Sequence, residues 1–221
     1  MPMAQTHKPS SQPKYAVMVM CLAYLCLPIG KAYIVHEPKY KFADQDKLYF
    51  ISFAVINWID LFIRKPYKDI IVNSLAHCQK EKGLELYGWC IMTSHVHLII
   101  GTNDNPMQNI IRDLKRYTSE TLHHAIRENN IESRREWLLW MMERAGKKNG
   151  NNINFQLWQQ HNQPIELSDN KMAHQKLEYI HYNPVEAGFV LRQEDWLYSS
   201  AIDYHGGRGL LEIMFLDTLI K

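Results

Sequence analysis

The 221-residue sequence has little cysteine, and none of it is arranged to pair: Cys21, Cys26, Cys78 and Cys90 make no CxxC and none stands at zinc-finger spacing from a histidine pair. That argues against a disulfide framework and against a cysteine-rich zinc site, and points to reduced thiols in a cytosolic protein. A strong charge of either sign is also lacking. Lys and Arg number 25 against 23 Asp and Glu, a net charge of +2. Such a balance neither demands a nucleic-acid partner nor excludes one, because a basic face can be offset by acids elsewhere. No internal repeat or low-complexity tract is present. The apolar run from Tyr15 to Gly30 is too short for a membrane span, so no obligate membrane partner is expected. Lys8 and Lys14 before it give the outline of a signal peptide, but no small-x-small cleavage site follows.

What is present reads as one soluble globular domain: 46% of residues are hydrophobic and 22% charged. The polar, turn-rich stretch Glu37–Lys47 marks the start of the domain, so residues 1–38 read as an apolar extension outside the fold. The segment Lys47–Phe62 is rich in β-branched and aromatic residues, as a strand is, with a turn at Asp60. A helix follows to Gly83, with Pro66 in its first turn and Ile71, Leu75 and Cys78 at helical spacing. Two strands come next, split at Thr93-Ser94. A second helix carries Met107, Ile110, Leu114, Tyr117 and Thr121 as its inner stripe. Residues 129–153 read as an inserted helical hairpin or mobile loop, and 153–167 as a fourth, weaker strand. A third helix is capped near Asp169-Asn170 and has stopped by Gly188. This order predicts an α+β fold: a ferredoxin-like antiparallel sheet with helices on one face and an extra C-terminal helix.

Within this frame two patches carry chemistry. His95 and His97 alternate with Val96 on a strand, so both imidazoles share one face and can offer two ligands to one metal. By itself a His-x-His pair is as well explained by packing. A zinc hydrolase would add an Asp and a His close downstream, and here Leu98, Ile99, Ile100 and Gly101 follow. On the last helix, Tyr179 and Asn183 are four apart and share a face, with Tyr182 about a quarter turn from Asn183. That suggests a nucleophile beside a metal ligand, or a buried tyrosine before an Asn-Pro stop.

Taken together, the patches resemble a family. "MTSHVHLII", then "LWQQHNQPIEL", then "LEYIHYNPVEAGFV" and "DWLYSSAIDY" are similar in order and content to the single-tyrosine HUH transposases, in the branch of REP-associated tyrosine, or insertion-sequence-200-like, transposases. The resemblance runs from about Tyr40 to Asp217. It implies that His95 and His97 bind a divalent metal (Mg²⁺ or Mn²⁺), that Tyr179 is the nucleophile, and that Asn183 is a third polar ligand. It implies cleavage and strand transfer of single-stranded DNA, at hairpin ends, through a 5′-phosphotyrosine, in a cytoplasmic, nucleoid-associated monomer or homodimer. A phenol with a pKa of about 10 is mostly neutral at pH 7, so a cation that polarises the phosphate suits this chemistry.

DNA must also be held, and the basic residues suit that role or a solvated helix face equally. Arg112, Lys115 and Arg116 lie on the second helix, and Arg134, Arg135, Arg144, Lys147 and Lys148 in the insertion. From 112 to 148, nine basic against six acidic residues give a local +3. Gln160 and His161, in the "WQQHNQP" block, are further candidates for DNA contact, and Trp137, Trp140 or Trp158 for base stacking or equally for the core. Two other readings stay open: a hydrolase using the histidines and water, and a non-catalytic nucleic-acid-binding protein.

Overall fold

The computed structural model describes residues 42, 44–103, 105–150, 154–160, 162 and 164–216. The expected extension 1–38 and the candidate His161 lie outside the described residues. The described residues belong to one compact unit, 39–221. In chain order its elements are β1 (Tyr49–Ala54), α1 (Lys65–Lys82), β2 (Leu84–Ile91), β3 (His95–Thr102), α2 (Met107–Glu128), α3 (Arg135–Lys147), β4 (Ile165–Glu166), α4 (Asn170–Glu186) and a short α5 (Ala201–Tyr204). The strands form one antiparallel sheet in the order β2-β3-β1-β4, which is the ferredoxin-like arrangement with α4 added.

Local chemistry sets the element ends. α1 stops because Gly83 takes the left-handed conformation (φ 67°) and sends its N–H to the Cys78 carbonyl. α4 starts at Asp169, whose carboxylate accepts from Met172 N at 2.7 Å. Strand alternation then sorts the sheet residues into two layers. Ile51, Phe53, Val96, Leu98 and Ile100 share a core with Ile71 and Leu75 of α1, Ile110 and Leu114 of α2, and Leu138 and Met142 of α3. Phe50, Cys90 and Ile99 share a second, smaller core with Ala173, Leu177 and Ile180 of α4. The sheet is therefore covered by three helices on one face and by α4 on the other.

Three expectations need correction. Within residues 129–150, Arg135–Lys147 form one docked helix, α3, built around the apolar piece Trp137–Met142, in place of an inserted hairpin or mobile loop. Its apolar side was too short a pattern to fix in the sequence, and its end packs so closely that a Cβ on Gly146 would lie 2.6 Å from the Phe155 backbone. The inner stripe of α2 begins with Met107, Ile110 and Leu114 as expected but continues through Thr118, Leu122 and Ile126, while Tyr117 is exposed. Steps of three and four from Leu114 lead equally to Tyr117 or Thr118, and Leu122 and Ile126 decide for the latter. The fourth strand shrinks to two residues, plus an isolated bridge between Val55 and Trp158. Trp158 itself is core, donating its indole N–H to Thr118 Oγ1 at 3.1 Å, and is no stacking platform.

One polar hub ties α3 to the start of α1. Glu132, its carboxylate buried, pairs with Arg64 Nε at 3.2 Å and Arg134 Nε at 3.3 Å, and accepts from Arg134 N at 3.1 Å. Burial raises the carboxyl pKa, but these donors outweigh it and hold the group below its ordinary value. Glu132→Ala is expected to cost roughly 1–2 kcal/mol in urea unfolding, because it removes the hydrogen bonds of a buried carboxylate to Arg64 Nε, Arg134 Nε and Arg134 N. A carboxyl depressed in the folded state contributes stability above its unfolded pKa and loses it as pH falls through the folded value. Acid should therefore destabilise the wild type more than Glu132→Gln.

Candidate active site

β3 sits inside the sheet between β2 and β1, which fixes His95 and His97 on the α4 face. His97 registers with Ser52 on one side and Cys90 on the other, and His95 with Ala54. The two rings lie 4.6 Å apart between centroids. Both residues are buried. The Nδ1 of His95 meets Ser94 Oγ at 3.1 Å, but His95 Nε2 and both nitrogens of His97 are buried with no hydrogen-bond partner. Burial pushes the His95 pKa down to about 4, with Asp60 opposing, and His97 further down, with His95 and Lys176 adding to the effect. At neutral pH both rings are uncharged and present lone pairs.

Orphaned buried nitrogens are costly, about 1–3 kcal/mol each. A cation could take one nitrogen from each of these adjacent rings, so the residues fit the metal that the resemblance implies. Among the described residues no group of three or more His, Cys, Asp or Glu is placed to hold an ion. Any further protein ligand from these residues would then be an amide, carbonyl or hydroxyl oxygen. Asn183 could supply one: its amide nitrogen donates to the Tyr179 carbonyl at 3.3 Å, which uses Nδ2 and leaves Oδ1 as the ligand atom.

α4 brings the tyrosine. The Tyr179 ring meets His97 edge-on at 5.4 Å, and Phe50, stacked on His97 at 5.7 Å, meets Tyr179 at 6.1 Å. Tyr179 is 36% exposed, so one side of its ring rests on the histidine layer while the rest is open to solvent. Asn183 lies one turn further along the same face of α4. Tyr182 is exposed, and no ring contact links it to the histidines.

The opposite face of α4 explains the serine-rich tail. His181 is buried and meets Ser200 Oγ at 2.8 Å, while that same oxygen accepts from Trp89 N at 2.9 Å. Tyr198 donates to Asp69 of α1 at 2.7 Å, and Tyr204 donates to the Tyr87 carbonyl at 2.8 Å. Together "YIHYN" and "YSSAIDY" bolt the helix to β2, with Tyr179 and His181 pointing to different sides of it.

Two residues at the site were missed. Lys176, one turn before Tyr179, holds its ammonium 4.9 Å from the Phe50 ring centroid and 5.7 Å from that of Tyr179. Helical spacing from Tyr179 could have found it. Trp58 meets His95 edge-on at 5.4 Å. It follows β1 in a turn where the sequence read as continuing strand, so no periodic signal marked it.

The basic candidates divide. Lys115 does not face solvent: its ammonium is taken up by Gln159 O at 3.2 Å and Asn162 Oδ1 at 2.7 Å, and burial lowers its pKa to about 8. It fastens the 159–162 segment instead of offering a charge to DNA. Arg112 and Arg116 are exposed but sit on α2, across the sheet from α4. Gln160 is exposed in a segment that runs beside β1, where Gln159 N donates to Ala54 O and Ser52 N to Asn162 O. Those are the β1 residues that register with the two histidines.

Comparison with known proteins gives two positive findings. The family described as "Transposase IS200 like" matches residues 53–143, a span that includes both histidines and ends before α4. A solved structure of a REP-associated tyrosine transposase bound to a REP hairpin superposes with a TM-score of 0.52 at 15% identity, over 86% of this chain and 93% of that one. No curated protein matches. Residues 53–143 are thus similar in sequence to the IS200-like transposase family, and the chain shares its fold with a REP-associated tyrosine transposase.

Proposed function

We propose that the protein cleaves and rejoins single-stranded DNA, with Tyr179 as nucleophile and a divalent cation held by His95, His97 and Asn183. The observation that carries this reading is the contact of the Tyr179 ring with His97, whose two nitrogens have no other partner. The similar transposase is described as bound to a REP hairpin, which supports a hairpin-bearing strand as the DNA partner here.

In this mechanism the phenol oxygen of Tyr179 attacks the scissile phosphorus. The phenol gives up its proton as the O–P bond forms, the P–O3′ bond breaks, the leaving 3′ oxygen takes up a proton, and the 5′ phosphate remains on the tyrosine. The new ester conserves the phosphodiester, so an incoming 3′ hydroxyl can reverse the step without ATP. A bound cation would polarise the phosphate and offset charge on the leaving oxygen. His95 and His97 are kept neutral by burial and so remain able to ligate at neutral pH. Phe50 and the β-sheet restrict the tyrosine ring, and the partly exposed edge leaves room for a strand. Lys176 sets a positive charge beside the ring, where it can favour the attacking oxygen and offset charge on the phosphate it attacks.

The test is formation of an SDS-resistant protein–DNA adduct from single-stranded hairpin DNA with Mn²⁺ or Mg²⁺. A hydrolase using water would turn over with no adduct. A non-catalytic binder would retain the strand uncut with either metal. Lys176→Gln is expected to slow adduct formation by roughly 10²-fold, the scale of one lost charge-stabilising donor, with Lys176→Arg retaining more. Single-turnover kinetics at saturating DNA would check this, and an unchanged rate would remove Lys176 from the mechanism.

A further inference from the structure

We propose that the Asn57–Trp58 turn and α3 together form a single-strand subsite: Trp58 stacks one unpaired base beside the histidine pair, and Arg144 and Lys148 hold phosphates of the strand as it runs on. The inference rests on the reading above that the substrate is single-stranded DNA, and adds where the strand goes.

The turn is built to present Trp58. Asn57 (φ 52°) and Trp58 (φ 55°) are the non-glycine residues with positive φ among the described residues. That conformation favours glycine, and two such residues in a row mark a position that the surroundings must impose. They are imposed from both sides. Val55 N donates to Ser94 O, Trp58 N to Val55 O, and Phe62 N to Thr93 O, which pins the turn to the β2–β3 connection. Ile56, Ile59, Leu61 and Phe62 around it are buried, yet Trp58 stays 48% exposed. Its only ring partner among the described contacts is His95. An indole left half in water, edge-on to a site histidine, is an open stacking face at the place where a scissile phosphate would lie.

What adjoins the turn gives the strand its exit. A groove of about 300 Å³ is lined by Asn57, Met141, Arg144, Ala145 and Lys148, so it lies between the turn and the C-terminal half of α3. Its charged lining residues are both cationic. Arg144 also covers the Trp140 ring at 5.2 Å, which keeps an exposed aromatic and a guanidinium together on α3. A groove with apolar walls and two cations, bordered by the turn that carries an exposed indole, suits a chain of alternating bases and phosphates.

The experiment uses the full chain with hairpin strands in which each unpaired nucleotide in turn lacks its base, and reads adduct formation for the wild type, Trp58→Phe and Trp58→Ala. One abasic position is expected to slow the wild type about tenfold, on the scale of one lost base stack. Trp58→Ala should slow the intact strand by a similar factor and be indifferent to that one position, while Trp58→Phe keeps most of the rate. Strands carrying 2-aminopurine at the same position report stacking without chemistry: the wild type and Trp58→Phe should quench it and Trp58→Ala should not. Arg144→Gln with Lys148→Gln should weaken binding at all positions alike and reduce the salt slope by about two. Trp58→Ala behaving as wild type in both assays overturns the subsite. Wild type that quenches 2-aminopurine but forms no adduct leaves the subsite standing and overturns the strand-transfer reading instead.

Discussion

Tyr179→Phe leaves the fold and DNA binding intact and removes the covalent adduct, with an expected loss on the order of 10⁴-fold or more. The substitution deletes one oxygen. The ring keeps its contacts with His97 and Phe50, which hold this face of α4 against the sheet. Its seat on the sheet depends on Leu177, Ile180 and the His181–Ser200 bond, none of which involves the phenol. An unchanged melting temperature with no adduct is the expected pair of results. An adduct that persists would shift the nucleophile elsewhere, with Tyr182 the nearest alternative on the helix. Tyr182 is exposed, however, and lacks the ring contacts that would hold it at the histidines.

His97→Leu in metal-free protein is expected to be as stable as the wild type, or up to ~2 kcal/mol more stable, while losing adduct formation altogether. A histidine kept for packing would give the opposite sign. His97 lies fully within the sheet with both nitrogens unpaired, and an apolar side chain of similar size removes that cost. Mn²⁺ at about 100 times its Kd should raise wild-type stability by roughly 2.7 kcal/mol and leave His97→Leu unmoved. Thermal or urea unfolding with and without Mn²⁺ measures both effects. If His97→Leu destabilises the protein strongly and Mn²⁺ stabilises neither form, the histidine is structural.

Much of this was legible because strand alternation is rigid. His95 and His97 had to share a face, and Val96 and Leu98 had to face the other layer, whichever strands flanked them. The helix spacing of Tyr179 and Asn183 was equally fixed. Long-range partners were not legible, because register is a property of two strands at once. Nothing in Phe50 alone says that it would stack on His97. The two-residue β4 and the buried Lys115 fail for a related reason. In the 153–167 segment the polar Gln, Asn and Pro residues break the ladder, and the loop so formed takes up the ammonium of a helix across from it. Trp58 hid in the turn after β1, since a strand pattern running on to Asp60 and a left-handed turn with an outward indole look alike in sequence. The α2 stripe is legible through Met107, Ile110 and Leu114, and past Leu114 only Leu122 and Ile126 separate Thr118 from Tyr117.

The central claim is that Tyr179 carries the DNA. The direct measurement is to incubate the wild-type chain with single-stranded hairpin DNA and Mn²⁺, digest the SDS-resistant product, and identify the nucleotide-bearing peptide by mass spectrometry. The account predicts one modified peptide, with a 5′-phosphate on Tyr179 and a free 3′ hydroxyl on the released strand. Cut DNA with no modified peptide, or a modification on any other residue, would contradict it.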